Sequence, residues 1–274
     1  MKKVLGVIGA GYGDEGKGKT VSYLCNEHKH ERTIVVRFNG GAQAAHNVIL
    51  EDGTHHTFAH FGSGTLQRIP TYLNDKFIVN PMLYVDEYMK LITKTTIRPK
   101  LFINTDCRVS TPYDMLYNLA VENSRGVDKH GSCGVGIFAT IQRYEEMPDS
   151  PKIYQLFKNP DLIFPYLDSV KTYYLDKLEG LNRSEEYITL MKNTDVRRSF
   201  FDVVNMMAQA CKLVDDDDII TLFDTFIFEG AQGLLLSEKY GVFPYLTPSD
   251  PGATEIVKFV NKVDVLSSNC TFQL

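Results

Sequence analysis

The chain has 274 residues, 29 basic and 34 acidic side chains, a formal net charge of −5 and 43% hydrophobic residues, which suits one large or two small globular domains and gives no charge for a nucleic-acid backbone as partner. Its five cysteines, at 25, 107, 133, 211 and 270, are odd in number and contain no C-x-x-C pair, which fits reduced thiols and a cytoplasmic setting. No stretch reaches the length of a membrane span, and the glycine-broken apolar run behind Met1-Lys2-Lys3 reads as a core strand rather than a signal peptide.

In chain order, the first 150 residues alternate short β-rich runs with helical patterns. Strands are predicted at residues 4–10, 33–39, 77–80 and 101–104, and helices at 17–28, 82–93 and 112–122. That alternation predicts an α/β fold with a mostly parallel central sheet flanked by helices. Residues 151–213 change character: apolar positions at 153–157, 166–178, 185–191 and 197–213 recur at helical spacing, so a helical insertion lying on the sheet is expected. The run Asp215-Asp216-Asp217-Asp218 reads as a solvated loop. A further strand is expected at 225–228, a helix-like run at 255–265, and a strand being entered at 270–274. The whole, residues 1–274, reads as a single domain.

Between the first strand and the first helix lies Gly11-Tyr12-Gly13-Asp14-Glu15-Gly16-Lys17-Gly18-Lys19-Thr20. Glycines at a helix N-terminus expose backbone N–H groups to an anion, and two lysines add charge. A carboxylate among them repels phosphate unless a metal ion or a substrate proton lies between, so Asp14 points to Mg²⁺ or to acid–base work. Residues 13–20 also fit the phosphate-loop pattern G-x-x-x-x-G-K-[ST], in which Lys19 reaches the phosphates and Thr20 a Mg²⁺. That pattern calls for a later strand ending in Asp, for which Phe226-Ile227-Phe228-Glu229 is a loose substitute. Gln232 follows a buried strand at the edge where α/β sheets bind ligands. A buried amide there without a partner is unfavourable, which favours a ligand role.

Residues 13–19, GDEGKGK, resemble the signature of the adenylosuccinate synthetases. Other segments resemble the same family in order: Arg37-Phe38-Asn39-Gly40-Gly41-Ala42-Gln43-Ala44-Ala45-His46-Asn47-Val48, Phe228-Glu229-Gly230-Ala231-Gln232-Gly233, Phe243-Pro244-Tyr245-Leu246-Thr247 and, more faintly, Gly131-Ser132-Cys133-Gly134-Val135-Gly136-Ile137. The resemblance implies a ligase forming C–N bonds in purine biosynthesis. It joins aspartate to C6 of a purine monophosphate such as IMP, using GTP or ATP and Mg²⁺, and acts as a homodimer. It implies Asp14 as the base at N1 and a metal contact, His46 as donor to the bridging phosphate oxygen or the C6 oxygen, Lys17 as phosphate holder, and Gln232 as a fourth catalytic residue. Gly13, Glu15, Gly16, Gly18, Lys19, Arg37, Gln43, Asn47, Ser132, Cys133, Ala231 and Thr247 are the implied substrate contacts. Ala45 is a backbone metal ligand at a family glycine, and Arg143 reaches a partner subunit's nucleotide. His28, His30, His55, His56, His60 and His130 match no catalytic position of the family.

The chain also departs from the family pattern. No arginine follows Arg198 and no Thr-Arg pair occurs, although arginine suits bidentate carboxylate recognition. The family's C-terminal aspartate site is therefore expected to be missing, rebuilt or reduced. Asn261-Lys262-Val263-Asp264 resembles the guanine-reading motif but lies only 29 residues past Gln232, too near for that role, so either ATP or GTP fits as donor. Phage-type relatives take dGMP and carry serine at the position of Asp14. Asp14 favours an IMP-like acceptor, while Gln43 and Cys133 keep a guanylate open. A nucleotide-binding or phosphoryl-transfer protein that does not condense aspartate is the alternative.

Overall fold

In the computed structural model, which describes residues 2–128, 133–266 and 270–273, seven strands form one parallel sheet: β1 (Lys2–Gly9), β2 (Thr33–Arg37), β5 (Thr71–Leu73), β6 (Leu101–Asn104), β7 (Lys212–Val214), β8 (Thr225–Gly233) and β9 (Cys270–Gln273). A separate antiparallel hairpin, β3 (His46–Ile49) and β4 (His55–Phe58), stands beside it. The sheet order is β7-β6-β5-β2-β8-β1-β9, so β8 lies between the first two strands of the chain. Its sequence, Thr225-Phe226-Ile227-Phe228, is β-branched and aromatic, as a strand buried on both faces requires.

Side-chain alternation along the strands separates two cores. On one face Leu5, Val35 and Ile227 pack with Val21 and Cys25 of α1 (Lys17–Glu27). On the other, Val4, Ile34, Val36, Phe226 and Phe228 meet α9 (Asp216–Leu222) and α10 (Thr254–Leu266). The Phe259 ring of α10 stands 5.1 Å from both Phe226 and Phe228. The third and largest core joins α2 (Pro81–Lys94) and α3 (Pro112–Ser124) to the inserted helices α5 (Ile153–Lys158), α6 (Ile163–Leu178), α7 (Glu185–Lys192) and α8 (Thr194–Ala210). The expected parallel sheet and helical insertion are both present.

Four details differ from the sequence reading. Residues 77–80 form only isolated bridges, Ile78 to Gly41 and Val79 to Val109; the sheet strand is three residues long and lies just before, where Pro70 and the Asn74 turn bracket it. The helical run 197–213 ends at Ala210, and its last residues cross into edge strand β7. The aspartate run is no loop: Asp215 caps α9, accepting from Asp218 N–H at 2.8 Å while the Asp218 carboxylate accepts in return. Three carboxylates in that first turn favour the positive end of the helix dipole. Finally, α4 (Ile137–Glu146) and the β3–β4 hairpin form where no element was expected.

One irregularity positions the site. Val7 pairs with Glu229 and Gly9 with Gly233, so two residues of β1 span four of β8. Gly230-Ala231-Gln232 stand against the single residue Ile8, a surplus of two that bulges at the carboxyl edge, and Gln232 adopts φ +68. A non-glycine residue in the left-handed region is strained and marks a position that surrounding contacts over-determine.

Candidate active site

The glycine loop leaves β1 and lies against this bulge. A Cβ on Gly13 would stand 3.0 Å from Gln232 Cα, and Gly13 has φ +107; glycine is required there both for space and for conformation. The loop closes on itself. The Gly11 N–H donates to the Glu15 carboxylate, and Lys17 Nζ donates to Gly13 O at 2.6 Å. Burial pulls the Lys17 pKa down, with Glu15 and Asp14 opposing the fall. Gly16, in the left-handed region at φ +76, begins α1 without any side-chain cap. The first-turn N–H groups are thus left to an outside acceptor, the arrangement that binds phosphate. Asp14 and Lys19 are exposed.

Directly behind the loop stands His46, the first residue of β3. Its Nδ1 lies 2.5 Å from Oε1 of Glu229, a carboxyl with no solvent exposure. Burial alone would push this carboxyl up, but the charge and hydrogen bond of His46, the charge of Arg37 and the hydroxyl of Ser63 bring it down to about 2. An ionised carboxylate only accepts, so Nδ1 carries the proton, and Nε2 has no protein partner among the described residues. The register sets Arg37 of β2 opposite Glu229. Ser63 gives Glu229 its N–H at 2.9 Å and its hydroxyl as well.

A second group of contacts orders the bulge itself. The Asn39 side chain donates to Ala231 O at 3.0 Å and accepts from Ala231 N–H at 2.8 Å, tying the ends of β2 and β8. Gln232 Oε1 accepts from Thr247 Oγ1 at 2.9 Å and Ser249 Oγ at 2.8 Å. Two donors on the carbonyl oxygen fix the amide flip and leave the NH₂ end to donate. Gln43 packs beneath Gly40 and Gly41, its Oε1 buried without a partner, and a Cβ on Gly41 would run into Ile137 at the start of α4. An orphaned acceptor amid these loops suits a ligand's donor.

Asp14, Lys17, Gly13, Gly16, Gly18, His46, Gln43, Ala231, Gln232 and Thr247 thus share one edge of the sheet. Ala45 and Asn47 are exposed on the segment around His46, with Asn47 Oδ1 accepting from Thr57 at 3.4 Å. Cys133 is exposed, and Ser132 and His130 lie outside the described residues. Two arginines expected at the nucleotide are instead inside the protein. Arg143 is fully buried: Nε and Nη2 donate to Asp114 at 2.8 and 3.0 Å, Nη2 also to Val109 O at 2.9 Å, and Nη1 to Tyr166 at 2.8 Å. A side chain with these bonds has no reach toward a neighbouring subunit. Arg37 is equally buried and gives Nη1 to Ala59 O at 3.0 Å and Phe61 O at 3.3 Å. Residues 261–264 lie within α10, and Lys262 pairs with Asp216. Ser63, Asn39 and Ser249 were missed from the sequence: Ser63 and Ser249 belong to no recognisable spacing, and Asn39 lies inside the 37–48 segment at a position the resemblance does not single out.

Among the described residues no three or more His, Cys, Asp or Glu side chains group as an all-protein metal cage, and no helix is long and apolar enough to cross a membrane. Surface clefts of about 370 and 490 Å³ lie elsewhere, lined by none of the loop residues.

The model of the adenylosuccinate synthetase family matches residues 6–263. Adenylosuccinate synthetase 1 of Pseudoalteromonas translucida is 28% identical over 258 residues, which are 92% of this chain and 56% of that protein. The enzyme of Crocosphaera subtropica is 29% identical over 255 residues, 89% of this chain and 53% of that protein. The chain thus spans about half the length of the curated relatives it matches. Among solved structures, fully ligated adenylosuccinate synthetase of Plasmodium falciparum superposes with a TM-score of 0.69 at 17% identity, covering 94% of this chain and 57% of that one. The succinoaminodeoxyadenylate synthetase of cyanophage S-2L, bound to dGMP and to dATP as an energy donor, gives 0.62 at 18% identity, covering 99% and 63%. At these identities the likeness is one of fold.

Proposed function

The chain belongs to the adenylosuccinate synthetase family, and on that premise we propose that it activates the 6-oxo group of a purine monophosphate with GTP or ATP and condenses C6 with aspartate. The observation that supports the reading is that the loop carrying Asp14 lies against Gln232 at Gly13 and against His46 at Gly18, around an uncapped helix N-terminus. The C6 oxygen is a poor leaving group until it receives the γ-phosphoryl group. Asp14, exposed in the loop, takes the N1 proton and makes the oxygen nucleophilic. The uncapped amides and Lys17 hold the transferring phosphates; such electrostatic holding is the main work in phosphoryl transfer. His46, its Nδ1 tied to Glu229, presents Nε2 to the bridging oxygen or the C6 oxygen. The amine of aspartate then adds to C6, and phosphate departs.

One carboxylate beside an anion cradle fits Mg²⁺, which keeps several waters and binds through one or two carboxylates plus substrate phosphates. Asp14 and the Ala45 carbonyl are the residues to hold it, and it would supply charge neutralisation on the phosphates. Family membership supports a homodimer, without Arg143 as the cross-subunit contact. Asp14 supports an IMP-like acceptor.

The test is incubation of the protein with Mg²⁺, each of IMP, dIMP, GMP and dGMP, and GTP or ATP, with and without aspartate. Phosphate release and a succinyl nucleotide that both require aspartate are expected. No release with any pair sinks the proposal. Release independent of aspartate selects a second reading, phosphoryl transfer without condensation.

A further inference from the structure

Ser63 belongs to none of the segments that carry the family resemblance, yet it sits at the centre of the buried network behind His46. It has no solvent exposure and offers both of its donors to one carboxylate: the backbone N–H to Glu229 Oε2 at 2.9 Å and the hydroxyl to Oε1. His46 shares Oε1. A buried carboxylate is stable only when its lone pairs are met, and the direction in which Glu229 points decides where the imidazole points.

Ser63 is itself held by a turn gripped from two sides. Arg37 donates to the carbonyls of Ala59 and Phe61. Glu87, from α2, accepts from the N–H groups of Ala59 at 3.0 Å, His60 at 2.7 Å and Phe61 at 3.4 Å. The next residue, Gly62, donates its N–H to Thr71 Oγ1 at 2.8 Å. Five backbone groups of three consecutive residues are thereby engaged by two oppositely charged, buried side chains. The turn runs through Gly62 directly into Ser63, so its rigidity is passed to that residue.

We propose that Ser63 is a positioning residue: held by the Arg37–Glu87 clamp, it fixes Glu229 so that His46 keeps its proton on Nδ1 and turns Nε2 toward the nucleotide. The inference rests on the function proposed above for its kinetic consequence, and on the hydrogen-bond geometry alone for its spectroscopic one. Residues that orient a ligating or reacting side chain typically matter by one to two orders of magnitude.

The experiment pairs kinetics with ¹⁵N and ¹H spectra of His46 in the wild-type protein and in Ser63→Ala. The wild-type Nδ1 should carry a slowly exchanging proton. In Ser63→Ala that proton should exchange faster, and kcat should fall about 10-fold or more while KM for both nucleotides stays within about 2-fold. Should Ser63→Ala not fold, a through-hydrogen-bond coupling between the Ser63 amide nitrogen and the Glu229 side-chain carboxyl carbon is sought in the wild-type protein, and its absence overturns the proposal. An unaltered His46 signal with unaltered kcat in folded Ser63→Ala also overturns it. A wild-type protein that turns over no nucleotide, but whose His46 proton responds to Ser63→Ala as expected, refutes the function and leaves the positioning role intact.

Discussion

Gly18→Ala is the sharpest perturbation of this site, because it adds one methyl group at its tightest point. Gly18 is the second residue of α1 and has an ordinary helical backbone, so alanine there gains helix propensity of about 1 kcal/mol. The added Cβ, however, would stand 2.9 Å from His46 Cβ and 3.1 Å from Ser63 Oγ. Non-bonded carbons rest at roughly 3.5–4.0 Å, so His46 must withdraw by about 0.6–1 Å. Local overpacking of this kind destabilises by roughly 1–3 kcal/mol, leaving a net loss of about 2 kcal/mol or less once the helix gain is counted. The kinetic effect is larger: a misplacement of about 1 Å reduces turnover on the order of 10²-fold. Aspartate-dependent phosphate release and thermal unfolding, measured on the same preparation, separate the two effects. A variant that keeps its kcat, whatever its melting temperature, would show that His46 does not act from the place seen here.

Other changes test the remaining assignments. Asp14→Asn alters an exposed side chain, so stability should change by less than about 0.5 kcal/mol, while phosphate release falls at least roughly 10²-fold; retained turnover removes Asp14 as the base. Arg143→Ala leaves the Asp114 carboxylate buried without its ion partner, and unfolding in denaturant should report a loss of about 3–5 kcal/mol; an unchanged midpoint would restore a role outside the core. Glu229 and Glu87 both titrate near 2 in the folded protein: burial alone would raise them, but His46 for the first, and His56 and His60 for the second, outweigh it. A carboxyl with a folded pKa below its unfolded value stabilises fully above the unfolded value, here 4.5, and less as pH falls toward about 2. The melting temperature should therefore drop steeply across that window, and Glu87→Gln should flatten the slope; an equal slope in the variant argues against the clamp.

The sequence was legible where local chemistry decides the structure. Helices α1, α2 and α3 and the strand at Leu101–Asn104 were legible from apolar periodicity, and the structure adds the caps Asn80 and Thr111 that start two of them. It was illegible where a distant partner decides. Thr71–Leu73 is a strand only because β2 and β6 flank it, and Lys212–Val214 only because β6 offers an edge. The aspartate run misled because four like charges suggest solvation, while helix capping uses the same residues. Arg37 and Arg143 misled in a different way. Their place in motif-bearing segments suggested phosphate, yet the folded chain sets Arg143 against buried Asp114 and Arg37 against the Ala59 and Phe61 carbonyls.

The site shows why such pairings escape a linear reading. His46 and Glu229 are 183 residues apart, and nothing in either segment names the other. Their meeting depends on β8 inserting between β1 and β2, which places the carboxyl ends of three strands side by side. Each end then contributes a different piece: β1 the anion loop, β2 the Asn39 tie and the way into His46, and β8 the carboxylate and the strained Gln232. The two-residue surplus in β8 lets Glu229 point inward at the His46–Ser63 pair while Gln232, three positions later, faces the loop and the Thr247 segment. A strand of regular pitch gives residues three apart opposite faces of the sheet; the left-handed backbone at Gln232 instead sets its side chain against Thr247 and Ser249. The bulge is therefore the feature of the fold on which the proposed chemistry depends most directly.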